Sequence, residues 1–329
     1  MIEVKNLTKK YGSHLAVDDL SFTIEKGQIY GFLGPNGAGK STTMNIMTGY
    51  IGATSGEVFI NGVNILEDPE RAKSHIGYLP EIPPLYLDMT VKEYLSFVSE
   101  LKKIPKNQRE NAIQQVSDMI KLDEVTDRLI RNLSKGYKQR VGLAAAILGF
   151  PEIIILDEPT VGLDPKQILE IRQLIRTLAK DHTVILSSHI LAEVQEICDY
   201  VLIISKGKLV ASDTPDRLEE LSGGQESIEL TIHAPQPQIE TILASIDGIQ
   251  SITCSSTSEE FCDVIAEISG DSQKLCEDIS LAFAAKKIPI TRIYVSKATL
   301  EDIFLELTQN SPEDDKTEPK GGTNHERHL

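Results

Sequence analysis

Between residues 34 and 42 the chain reads Gly34-Pro35-Asn36-Gly37-Ala38-Gly39-Lys40-Ser41-Thr42, a nine-residue stretch that restricts the fold more than any other in the sequence. The apolar run Ile29-Tyr30-Gly31-Phe32-Leu33 enters it as a buried strand, and residues 41–47 leave it as a helix. Glycines at 34, 37 and 39 let the backbone curl so that successive N–H groups point inward. The helix N-terminus adds its positive end, and the whole forms a cradle for phosphate. In this pattern the lysine reaches the β- and γ-phosphates and the next hydroxyl ligates magnesium. A nucleoside triphosphate is the expected ligand, with Lys40 and Ser41 in those two roles.

A second stretch fits the same chemistry. Ile153-Ile154-Ile155-Leu156 runs into Asp157-Glu158-Pro159, and an unbroken apolar run suits a strand buried on both faces of a parallel sheet. Acids at its carboxyl end stand where open α/β sheets bind ligands. Asp157 is expected to hold magnesium, directly or through water, and Glu158 to be the general base that activates the attacking water. The pattern is weak alone and strong beside the phosphate loop. Lys40 and Asp157 are 117 residues apart, far more than one β-α-β crossover requires. A helical insert is therefore predicted, and Val91–Val98 together with Ile113, Val116 and Ile120 carry its periodicity.

The insert ends at Leu133-Ser134-Lys135-Gly136-Tyr137-Lys138-Gln139-Arg140, and Gly162-Leu163-Asp164 and Ser188-His189 follow the acidic strand. Phosphate loop, insert, L-S-x-G-x-x-Q-R, Asp-Glu strand and Ser-His in this order resemble the ATPase subunit of an ABC transporter, over residues 1 to about 221. Gly77–Met89 and Leu133–Arg140 resemble most the exporter-type branch, including gliding-motility-type and multidrug-exporter-type ATPases, in which the permease is a separate chain. The resemblance implies ATP and Mg2+ as ligands and a homodimer or heterodimer of ATPase subunits working with membrane permease subunits. It implies that Tyr11 stacks on adenine, that Ser134 and Gly136 cap the γ-phosphate bound by the other subunit, and that Asp164 lies in a loop crossing the dimer interface. It also implies that His189 contacts the γ-phosphate, consistent with its place beyond the apolar run Val184-Ile185-Leu186. A soluble ABC ATPase acting in translation or DNA maintenance is the alternative; such chains resemble this one less, since they carry two ATPase units or a long coiled coil. A metabolite kinase on the same phosphate loop would leave Leu133–Arg140 without a purpose.

Three positions depart from the family pattern. Glu81 stands where glutamine is usual; a carboxylate still ligates magnesium but lacks the amide's donor. Lys135 and Tyr137 replace Gly and Gln within the signature, the first adding a cation near the triphosphate and the second having no rationale in the sequence. Finally, Leu221-Ser222-Gly223-Gly224-Gln225 matches L-S-G-G-Q letter for letter, but it follows His189 and continues into Glu226. Small flexible residues there read as a linker.

The predicted fold is an α/β P-loop NTPase core at 1–221 with a helical insert at about 82–150, a linker at 222–225, a small ferredoxin-like α+β domain at 226–308 in β-α-β-β-α-β order, and a disordered tail at 309–329. Its strands are expected at Ile228–Ile232, Ile249–Cys254, Phe261–Ile268 and Ile290–Val295, its helices on Ile239, Ile242, Leu243 and Ile246 and on Leu275, Ile279 and Ala282, with a last capped helix from Thr299. His325 and His328 fall in the tail and carry no metal assignment. Residues 226–308 hold 14 acids and 5 bases within a chain of net charge −16, which argues against nucleic acid as a partner. No apolar run is long enough to span a bilayer, and Cys198, Cys254, Cys262 and Cys276 lack disulfide or metal spacing and read as buried thiols of a reducing compartment. The expected location is cytoplasmic, peripheral on the inner face of the cell membrane through the permease. Ile82-Pro83-Pro84-Leu85-Tyr86-Leu87 is apolar without periodicity and is expected to present a groove to that permease. The two signature-like strings separate in a simple test. Gly136→Asp should abolish ATP hydrolysis in a folded protein, and Gly223→Asp should leave it unchanged; the reverse result would make residues 221–225 the signature.

Overall fold

The computed structural model describes residues 1–221, 226–256 and 261–297, together with Glu301 and Phe304. Strands β1 (Ile2–Tyr11) and β2 (His14–Ile24) form a hairpin, and β3 (Ile29–Leu33) leads into α1 (Lys40–Met47). Next come β4 (Ser55–Ile60), β5 (Val63–Asn64), α2 (Pro69–Ser74) and β6 (Ile76–Leu79). Three helices follow, α3 (Val91–Leu101), α4 (Lys106–Ile120) and α5 (Lys135–Ile147). The chain returns as β7 (Ile153–Leu156), α6 (Pro165–Leu178), β8 (Thr183–Ser188), α7 (Leu191–Ile197), β9 (Tyr200–Ser205), β10 (Lys208–Asp213) and α8 (Pro215–Leu221).

Six strands make the central sheet in the order β10-β9-β3-β8-β7-β6, parallel from β9 to β6, with β10 antiparallel at one edge. The four aliphatics of β7 are each at most 1% exposed. Ile154 and Leu156 join one hydrophobic cluster and Ile153 and Ile155 another, so the strand is covered on both faces. Burial of such side chains contributes about 1.5–3 kcal/mol each before chain entropy is counted. One cluster takes in the helical insert; the other takes in the antiparallel sheet β2-β1-β4-β5 and α1.

The insert is the crossover between the adjacent parallel strands β6 and β7. Thr90 opens α3 with a complete capping box: its hydroxyl accepts from Glu93 N, and the Glu93 carboxylate accepts from Thr90 N at 2.8 Å. On α4, Val116 and Ile120 are buried and Ile113 is half-buried, as the 3.6-residue period requires. The apolar stretch after Glu81 divides. Leu85 packs on the core and Pro83 lies against Gly142, whereas Ile82, Tyr86 and Leu87 are 82%, 53% and 48% exposed. Only part of that stretch therefore faces solvent.

Residues from 226 onward form β11 (Glu226–Ile232), α9 (Gln236–Leu243), β12 (Ile249–Ser256), β13 (Cys262–Ile268), α10 (Ser272–Ala285) and β14 (Ile290–Lys297). Their sheet has the order β12-β13-β11-β14, all antiparallel, with its own hydrophobic cluster under α9 and α10. The buried face of α10 is Leu275, Ile279 and Phe283; Ala282 is only half-buried beside them. All four cysteines are free; Cys198 and Cys262 are buried, but Cys254 and Cys276 are only partly buried, packed against the hydrophobic cluster of this smaller unit. Burial pushes the Cys198 thiol well above its usual range. The expected linker 222–225, most of the last helix and the tail lie outside the described residues. Glu301 and Phe304 are helical, and Phe304 packs against the cluster that includes the insert. Among the described residues no helix is long and apolar enough to cross a membrane.

Helix α5 is seated on β6 at very short range. A Cβ on Gly77 would lie 2.3 Å from the Ala146 carbonyl oxygen, and one on Gly142 would lie 2.7 Å from Pro83. Backbone cannot give way as a flexible side chain can, so Gly77→Ala should push α5 outward and cost about 1–3 kcal/mol. Denaturant unfolding would measure it, and an unchanged midpoint would show that the contact is slack.

Candidate functional site

The phosphate loop joins β3 to α1. Gly39 is the residue before the helix and has φ +106°, and a Cβ there would lie 2.5 Å from the Ala16 carbonyl of β2. Only glycine meets both conditions without strain. Lys40 is 6% exposed. Its ammonium donates to the Gly34 carbonyl at 2.7 Å and the Pro35 carbonyl at 3.3 Å and lies 3.7 Å from a Glu158 oxygen. Burial lowers its pKa, and the nearby Glu158, Asp157 and Glu81 carboxylates push in the opposite direction.

Asp157 and Glu158 leave the carboxyl end of β7, the neighbour of β8. The Asp157 carboxylate accepts from Ser41 Oγ at 3.1 Å and from Ser187 Oγ at 2.6 Å, which ties α1, β7 and β8 together at one point. Ser187 Oγ in turn accepts from the Glu158 backbone N–H at 2.8 Å. Glu158 has φ +48°, a conformation that costs a non-glycine residue about 1–2 kcal/mol, and its carboxylate is buried beside Lys40. His189, immediately beyond β8, places Nδ1 2.9 Å from Glu158 Oε2. A carboxylate only accepts, so Nδ1 carries the proton there.

These groups surround a cleft of about 420 Å³ lined by Tyr11, His14, Ala16, the loop residues Asn36 to Thr42, Glu81, Val161, Glu158 and His189. Tyr11 is 48% exposed, at the end of β1, with Lys9 Nζ 5.1 Å from its ring centroid. Gly34, Pro35 and Asp157 stand behind the cleft wall, where they hold Lys40 and Ser41.

Ser134 and Gly136 are elsewhere, at the start of α5. Ser134 is the N-cap, its hydroxyl accepting from Tyr137 N at 3.4 Å. Gly136 is buried against Gln167 of α6, where a Cβ would lie 2.5 Å from the amide oxygen. Tyr137 now has a physical account: its ring lies under the Arg140 guanidinium, 5.9 Å away, and packs partly on the core. The Lys135 ammonium lies against Gly162, and Asp164 caps α6 by accepting from Gln167 N at 2.9 Å. Reasoning from sequence missed His14, Ala16 and Val161 in the cleft and Ser187 behind it. Only Ser187 left a signal, as the neighbour of the Ser188-His189 pair.

The ABC transporter family model matches residues 17–161. The bacitracin transport ATP-binding protein BcrA of Bacillus licheniformis is 42% identical over 67% of this chain and 72% of its own length. The linearmycin resistance ATP-binding protein LnrL of Bacillus subtilis is 31% identical over 94% of this chain and 98% of its own. Among solved structures, an ATP-binding subunit of an ABC transporter aligns with a TM-score of 0.63 at 30% identity, over 68% of this chain and 93% of that one. A dimeric ATP-binding cassette in a post-hydrolysis state with ADP and Pi aligns at 0.60 with 26% identity, over 65% of this chain and 98% of that one.

Proposed function

The chain belongs to the ATP-binding proteins of ABC transporters and is an ATPase subunit of that family, and from this premise we propose that it powers an exporter whose membrane permease is a separate polypeptide. The observation that carries the reading is the convergence of Lys40, Ser41, Asp157, Glu158 and His189 at the carboxyl ends of three neighbouring strands. The relatives named for bacitracin transport and linearmycin resistance favour export. A soluble role on ribosomes or DNA finds no support in a chain of net charge −16.

In this mechanism the phosphate loop and Lys40 bind the triphosphate, and Tyr11 stacks on the adenine. Glu158 takes the proton of the attacking water, with Lys40 and His189 fixing its carboxylate. His189 also faces the γ-phosphate. Two copies, or this chain and a related one, close over two nucleotides, with Ser134 and Gly136 of one meeting the γ-phosphate held by the other. The α5 N-terminus supplies N–H groups to that anion. Oxygen donors suit magnesium, and Ser41 Oγ and Asp157 Oδ1 at 3.1 Å from each other fit one small hard cation, with Glu81 at the rim. Bound there, the ion would neutralise charge on the β- and γ-phosphates. We further assign 226–308 as an accessory domain joined through 222–225, and the whole as peripheral on the cytoplasmic face of the membrane through its permease.

Glu158→Gln keeps the shape and removes the base. ATP should still bind, hydrolysis should fall about 10²–10⁴-fold, and an ATP-bound dimer should accumulate on size exclusion. Hydrolysis at the parental rate would remove Glu158 from the role.

Permease docking falls to the exposed part of the apolar stretch, Ile82, Tyr86 and Leu87, beside Glu81. Ile82→Asp and Tyr86→Asp should keep the melting temperature and basal ATPase of the isolated subunit while ending co-purification with the permease and its stimulation of hydrolysis. Leu85→Asp should instead lower the melting temperature, because Leu85 is packed on the core. Retained stimulation in both surface variants would move the docking site elsewhere.

A further inference from the structure

Glu193 on α7 is 3% exposed and takes no part in the mechanism above. Its Oε2 accepts from Thr160 Oγ1 at 2.8 Å and from Ser188 Oγ at 3.1 Å. Thr160 lies two residues beyond Glu158, and Ser188 is the residue before His189. One buried carboxylate thus grips the loop that carries the acid and the strand end that carries the histidine. Hydroxyl bonds to a charged acceptor are short and strong, more so away from water.

The same carboxylate also faces α6. Its Oε1 lies 3.5 Å from Arg172 NH2, and neither Oε1 nor Arg172 Nε has a hydrogen-bond partner, although both are buried. Arg172 pairs on its other side with Glu196. A buried carboxylate is costly to keep charged unless it is paired and bonded. A Leu or Met at 193 would fill the space without that cost. What an apolar side chain cannot do is hold two hydroxyls at fixed distances.

We propose that Glu193 is a positioning residue for hydrolysis: it sets the Thr160 and Ser188 hydroxyls, and through them the relative places of Glu158 and His189. The catalytic loop is then held on every side. Ser187 Oγ bonds the Glu158 N–H, Gln139 of α5 donates to the Pro159 carbonyl at 3.3 Å, and Glu193 bonds the Thr160 hydroxyl. Since Glu158 has a strained backbone, its loop has a less strained conformation to relax into if these bonds are cut. The inference rests on the assignment of Glu158 and His189 as the groups that act on water and γ-phosphate.

The test is steady-state ATP hydrolysis by the full chain in Thr160→Val, Glu193→Gln, Glu193→Ala and the Thr160→Val/Glu193→Ala double variant, with thermal melting of each. Thr160→Val keeps the side-chain shape and loses only the hydroxyl, so it carries the test if a Glu193 variant does not fold. Thr160→Val and Glu193→Ala should each lower kcat, the latter by up to about 10²-fold as misplacement of reacting groups does, with the KM for ATP little changed. The double variant should be no worse than Glu193→Ala, because both cut the same bond. Glu193→Gln retains an acceptor oxygen and should recover part of the loss. A lower melting temperature with unchanged kcat, losses shared equally by KM, or additive losses in the double variant would overturn the proposal. Glu158→Gln and His189→Ala measured alongside separate the two levels: if both hydrolyse ATP normally the underlying assignment fails, and if both are inactive while all Glu193 and Thr160 variants are active, only Glu193 loses its role.

Discussion

The bond from Ser187 to Asp157 ties the end of β8 to the end of β7, and Ser41 brings the first turn of α1 to the same carboxylate. Remove that junction and the phosphate loop, the acid and the histidine are three separate strand ends. The two flanking hydrophobic clusters make it possible. Because every residue of β7 is enclosed, the strand has no freedom to slide, and its first polar side chains, Asp157 and Glu158, come where the sheet stops. A buried cation and two carboxylates then share a small volume. The Lys40 ammonium is tolerable there because a Glu158 oxygen lies 3.7 Å away, and the Asp157 carboxylate because Ser41 and Ser187 both donate to it.

What could be read from residues alone divides along the range of the interaction. The phosphate loop, the Asp-Glu strand, the helical period of α3 and the β-α-β-β-α-β order were legible, because each depends on neighbours within a few positions of the chain. The division of Ile82–Leu87 into packed and exposed members was not, since two prolines erase any period and the packed members meet distant parts of the chain, Pro83 against Gly142 and Leu85 on the core. Glu193 was invisible, because a glutamate on a short helix is ordinary until its partner 33 residues away is known, and Ser187 showed only as the neighbour of Ser188-His189 until its bond to Asp157 was seen. Tyr137 had no meaning until Arg140 was seen to lie over its ring.

Two residues of the sequence motifs hold the structure together as well. Asp164, expected at a dimer interface, is the cap that starts α6. Gln139 belongs to the signature helix yet bonds the loop after Glu158. The helical insert is therefore not an appendage of the core: through Gln139 and the close seat of α5 on β6, displacement of the insert is felt at the loop that carries Glu158.

The approach of Gly77 to Ala146 gives α5 the mechanics of a lever. Its fulcrum is at the C-terminal end, where a strand backbone touches helix backbone directly. From Ala146 to Ser134 the helix extends about 18 Å. A tilt of about 10° at the fulcrum would carry Ser134 through about 3 Å, the span of one hydrogen bond. A tilt that barely moves the helix where it meets Gly77 is thus large enough to make or break a contact at the far end.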